Sequence, residues 1–134
     1  MANINVTVIY DPSNGTWSIT GDNVNGTTIE VNDQGANPIR WGIGLPQGAA
    51  GTINFDTSTG IDFTVDIPGD PPTGNANNWN WNLDNQLTPT SESIPYEYTV
   101  NAWYTPQQGA TPQAKQWDPE VEENPPAQVV IKSK

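Results

Sequence analysis

Neither cysteine nor histidine occurs in this 134-residue chain. The first absence excludes disulfides, thiolate nucleophiles and sulfur-ligated zinc or iron–sulfur clusters. The second removes the usual general base near neutral pH and the commonest transition-metal ligand. Positive charge is almost as scarce. Arg40, Lys115, Lys132 and Lys134 are the only cations against 15 carboxylates, for a net charge of −11. Phosphate neutralisation needs clusters of Lys and Arg, so neither nucleic acid nor an anionic membrane is an expected partner. No apolar run approaches the ~18 residues of a membrane span. The opening MANINVTVIYDPSNG has no charged stretch followed by an apolar one, so a cytoplasmic location is expected.

What the chain does contain is alternation. INVTVIY puts Ile4, Val6, Val8 and Tyr10 on one face, and PIRWGIG puts Ile39, Trp41 and Ile43 on one face with Arg40 opposite. TWSIT, TTIEV, GTINFD, IDFTVDI and QVVIK read as further short strands, separated by DPSNG, GDNVNG, NDQGANP and GDPPTGNANN. TSTG reads as a hairpin loop and 105–126 as one long loop. No stretch supports an amphipathic helix. The pattern predicts a single domain over 1–134. Its fold class is all-β, an immunoglobulin-like antiparallel β-sandwich of about seven to nine strands.

Two strands carry the aromatic residues of interest. In NWNWNL, residues 78–83, Trp79, Trp81 and Leu83 share one face and Asn78, Asn80 and Asn82 the other. Alternation assigns the tryptophans to the core with Ile39, Trp41 and Ile43. The Asn face is either solvated or a polar contact surface, since Asn is disfavoured in strands. In YEYTVNAWY the inward set is Tyr96, Tyr98, Val100, Ala102 and Tyr104. Trp103 then falls on the polar face with Asn101. Trp117 lies in the expected loop beside Asp118. Trp103, Trp117, Asn101 and Asp118 are therefore the predicted ligand-binding residues. Either the loop folds back and the two indoles bury each other, or it stands clear and they form two walls of a shallow sugar site. Aromatic faces pack on apolar sugar faces, and amides both donate and accept.

Three segments, INVTVIYD, NPIRWGIGL and PYEYTVNAWY followed by QWDPEV, resemble the PixA/AidA family of bacterial inclusion-body proteins. The matching residues are Asp11, Ile39, Arg40, Trp41, Trp117, Asp118 and Pro119. The resemblance implies a small cytoplasmic β-sandwich of bacterial origin, without known catalysis, that accumulates or self-associates. It supplies no catalytic residues.

Enzymatic readings fare poorly. Asp62 and Asp66 on one strand would lie about 13 Å apart, beyond the ~5–9.5 Å carboxyl spacing of glycosidases. NFDTSTG departs from an aspartic-protease Asp-Thr-Gly turn by two inserted residues. The acidic loops at Asp22, Asp33, Asp56, Asp70, Asp118 and Glu120 match no EF-hand. The expectation is thus a non-enzymatic binding or self-assembling module without metal or cofactor. Its expected partner is a second copy of the chain, through INVTVIY or QVVIK at a sheet edge, or a glycan.

Overall fold

Strand β10, Ile94–Thr105, is the longest element, and its inward and outward sides alternate from Tyr96 to Tyr104. The computed structural model describes residues 3–126. Around β10 it arranges an all-β sandwich of two sheets. Before β10 come β1 (Ile4–Asp11), β2 (Thr16–Gly21), β3 (Val24–Asn25), β4 (Thr28–Val31) and β5 (Gly35–Gly44). They are followed by β6 (Thr52–Phe55), β7 (Ile61–Phe63), β8 (Thr73–Gly74) and β9 (Asn78–Asn85). After β10 come β11 (Gln113–Trp117) and β12 (Glu120–Glu123). The first sheet runs β2-β1-β5-β9-β8. The second runs β11-β10-β12-β4-β3, with β6 and β7 on the other side of β10.

The core is the alternation made solid. Ile4, Val6, Val8, Ile39, Trp41, Trp79, Trp81 and Leu83 from the first sheet meet Ile29, Phe55, Ile61, Tyr96, Tyr98, Val100 and Val121 from the second. Ile43 is half-buried against them. Trp41 and Tyr98 meet edge-on at 5.5 Å between ring centroids, and Trp41 Nε1 donates to Tyr98 Oη at 3.1 Å. Trp81 lies between Phe63 and Tyr96. Trp79 is clamped by glycine: a Cβ on either Gly60 or Gly74 would overlap its indole. At one end of the core a buried Glu123 accepts from Tyr96 Oη at 2.7 Å. Burial, and then the adjacent carboxylate, push the Tyr96 phenol well above its ordinary pKa.

The described residues contain twelve strands rather than about seven to nine, because three elements are only two or three residues long. The pairing is also mixed, not antiparallel throughout. β1 pairs parallel to β5, and β12 parallel to β4. Parallel neighbours need a crossover, and here it passes through the opposite sheet: β3 and β4 intervene between the β1–β2 hairpin and β5.

Other expectations change with this topology. The 105–126 stretch is not one loop, since β11 and β12 lie inside it and both pair with β10. IDFTVDI keeps only Ile61–Phe63 as strand. INVTVIY is not a sheet edge, because β2 covers one side of β1 and β5 the other. QVVIK lies outside the described residues.

Replacing Trp81 by Ala is expected to cost about 3–5 kcal/mol of stability, the range for buried large-to-small changes of this kind. Urea unfolding checks this. A loss below about 1 kcal/mol would mean that the site collapses around the deletion or that Trp81 is not buried.

Candidate functional site

Between Phe55 and Ile61 the chain leaves the sheet and returns to it. Phe55 stands opposite Ala102, and Ile61 opposite Val100, so β6 and β7 are one strand line interrupted at Asn101. The ladder is kept across the gap. Asp56 N–H donates to the Asn101 carbonyl at 2.8 Å, and Asn101 N–H donates to the Gly60 carbonyl at 3.0 Å. Residues 57–59 are thus looped out of a continuous ladder, and TSTG is not a β-hairpin. The inner side of this loop is closed by Trp79 against Gly60. Its outer side becomes a wall.

Asp56 holds the loop in shape. Its Oδ1 accepts from Ser58 N–H at 2.9 Å, from Thr59 N–H at 3.0 Å and from the Thr59 hydroxyl at 3.1 Å. This is an Asx turn of the kind that Asp followed by Ser and Thr favours. The other oxygen, Oδ2, accepts from Trp103 Nε1 at 3.0 Å. The indole is therefore oriented from the edge while its side chain stays 42% exposed. These donors, the Trp103 N–H foremost and then the two backbone N–H groups, hold the Asp56 carboxyl down to about 2.

Asn101 lies next along the outward stripe. Its Nδ2 donates to the Thr59 carbonyl at 2.7 Å, and its Oδ1 accepts from Gln116 Nε2 at 2.8 Å. Gln116 comes from β11, whose Ala114 stands opposite Trp103. The result is a shallow depression of about 230 Å³, with β10 as floor, the 56–60 loop as one wall and β11 as the other. Lys115 borders it, but its Nζ is placed 5.6 Å from the Tyr10 ring centroid.

Of the four predicted residues, Trp103 and Asn101 are in this depression. Asp118 sits at the end of the same stripe, where its Oδ1 accepts from the Thr99 hydroxyl at 2.8 Å. Trp117 is not part of it. It stands opposite Val100, which faces the core. Its ring stacks on Trp17 at 5.9 Å between centroids with planes 3° apart. The expected Trp103–Trp117 pair, whether as two walls or as a mutually buried contact, does not form. Strand pairing puts the two indoles on opposite faces of one sheet. The residues missed were Asp56, Thr59 and Gln116. Asp56 alone carried a local signal, the Asp-Thr-Ser-Thr run that closes an Asx turn.

The depressed Asp56 carboxyl contributes stability that is present above its unfolded value, near 4, and lost as pH falls toward about 2. Carboxyl-detected NMR titration is expected to give a midpoint near 2, moving up toward the ordinary value in Trp103→Phe. An ordinary midpoint in the parent protein would contradict the Trp103–Asp56 bond.

Compared with known proteins, the chain matches no family model and no curated sequence.

Proposed function

We propose that the protein is a non-enzymatic binding module that holds a carbohydrate on Trp103. One observation carries the reading: an exposed indole face whose orientation is fixed by Asp56, with amide groups of Asn101 and Gln116 alongside. A sugar ring has an apolar face for the indole and hydroxyls for the amides. The depression is smaller than the ~300–1,000 Å³ of enclosed drug-sized sites, which suits one ring resting on a surface. Self-assembly through the first strand is the weaker reading, because β2 already occupies that side of β1. A hydrolytic role has less support still. Asp62 is on β7, but Asp66 lies beyond its end, so the two carboxylates do not share a strand face.

Titration with a broad glycan set, followed by tryptophan fluorescence, tests the proposal. At least one glycan is expected to shift the emission with a dissociation constant of about millimolar to micromolar, or about −4 to −8 kcal/mol. Trp103→Ala is expected to abolish the shift, and Trp117→Phe to keep it. An equal response in Trp103→Ala, or none for any glycan, would overturn the proposal.

A further inference from the structure

On the opposite outer surface of the sandwich, the Asn face of β9 is the floor of a larger groove of about 470 Å³. Asn80, Asn82 and Asp84 point outward there, alternating with buried Trp81 and Leu83. Pro38 of β5 stands opposite Asn82 and extends the floor. The wall is the crossover from the second sheet to the first, residues 64–72. It is pinned at both ends. Ile67 packs against the core, and Thr73–Gly74 joins the β9 ladder. Pro68, Pro71 and Pro72 stiffen it between those anchors. It meets the floor at Gly69, where a Cβ would lie 3.9 Å from the Asn82 carbonyl oxygen. The groove is therefore formed before any ligand arrives, which lowers the ordering cost of binding.

Its chemistry is one-sided. Asp70 and Asp84 line it, and no Lys or Arg does. Gln86 Nε2 satisfies one oxygen of Asp84, at 2.7 Å. Arg40, on the neighbouring strand, is turned to Asn78, whose Oδ1 accepts from its Nε at 3.3 Å. Proline rings offer apolar surface to an aliphatic stem, the two carboxylates offer only acceptors to a head group, and the amides of Asn80 and Asn82 can turn their carbonyl oxygens to the same group. Trp81 borders the groove but is buried, so a neutral sugar would find no exposed aromatic platform here and would bring no charge to the two carboxylates. A metal ion would lack ligands, because no group of three Asp, Glu, His or Cys side chains converges among the described residues.

We infer that this groove binds an arginine side chain presented by another, basic protein chain. The guanidinium supplies five donors in a planar fork, more than an ammonium directs at fixed acceptors, and it is the better partner for carboxylates. The net charge of −11 attracts such a partner from a distance. The site is independent of the Trp103 depression, which lies on the other sheet.

The test is a ¹⁵N-edited NMR titration of the full chain with the peptide acetyl-Gly-Arg-Gly-amide, beside its citrulline and lysine counterparts. The arginine peptide is expected to move the Asn80 and Asn82 side-chain amides and to leave Trp103 Nε1 unmoved. Affinity is expected near millimolar, weakening with salt. Asp70→Asn and Asp84→Asn, both at exposed positions, are each expected to weaken it about three- to fivefold with the rest of the spectrum unchanged. Citrulline is expected to be silent and lysine weaker. Equal binding of citrulline or lysine, shifts confined to other residues, no shifts at all, or indifference to both substitutions would overturn the inference. So would a neutral glycan that moves the same amides.

Discussion

The hydrogen bond from Trp41 Nε1 to Tyr98 Oη joins the two sheets across the middle of the core. Much else in the molecule depends on it. Both groups are fully buried, and a buried donor or acceptor left without a partner costs about 1–3 kcal/mol. Among the described residues, Trp41 is the only one of the three core tryptophans whose indole N–H is paired; those of Trp79 and Trp81 are not. The contact therefore favours one register. Tyr98 must face inward, and the period of two then sends Tyr96, Val100, Ala102 and Tyr104 inward with it. Thr99, Asn101 and Trp103 are turned outward as a direct consequence. A slip of one residue would bury Glu97, Thr99 and Asn101 and leave Trp41 without its acceptor. Burial keeps the Tyr98 phenol protonated well beyond its ordinary range, although the Trp41 bond works in the other direction.

The outward stripe becomes a site only because the neighbouring strand line is interrupted. Had Phe55 run straight into Ile61, β10 would have had an ordinary flat neighbour at Asn101. Instead, residues 57–59 are displaced outward. The Asp56 carboxylate both shapes the displaced loop and fixes the indole of Trp103. Inside, the same interruption lets Gly60 close on Trp79. One irregularity therefore serves packing on one side of the sheet and recognition on the other. The crossover at residues 64–72 is a second irregularity with the same character: Ile67 is anchored in the core, while the following proline-rich stretch stands over the Asn face of β9.

Side-chain facing was the part of the structure most legible in the sequence. The parity of NWNWNL and YEYTVNAWY assigns every inward residue of those two segments, since alternation is a local property of the chain, but not Asn85, which is buried at the end of β9. Pairing direction was not legible. Nothing in INVTVIY or PIRWGIG distinguishes a parallel from an antiparallel neighbour, and the crossover through the other sheet is set by the whole topology. QAKQW and EVEE were overlooked as strands because they carry too few apolar residues to alternate; their places are set by pairing with β10. The same scarcity of apolar residues hides the place of Trp117. A loop would leave its ring free to approach Trp103, whereas as a strand residue it follows Val100 inward and stacks on Trp17. The interruption at 56–60 looked like a turn in sequence, because Asx turns occur in both hairpins and loops. Only the register against β10 tells them apart.

Hydroxyl-radical footprinting of the six tryptophans, resolved by peptide mass spectrometry, tests the facing of β10 most directly. Fast oxidation is expected at Trp103, slower reaction at the half-buried Trp17 and Trp117, and protection of Trp41, Trp79 and Trp81. Protection of Trp103 at the level of Trp41, or oxidation of Trp79 or Trp81 at the rate of Trp103, would contradict it.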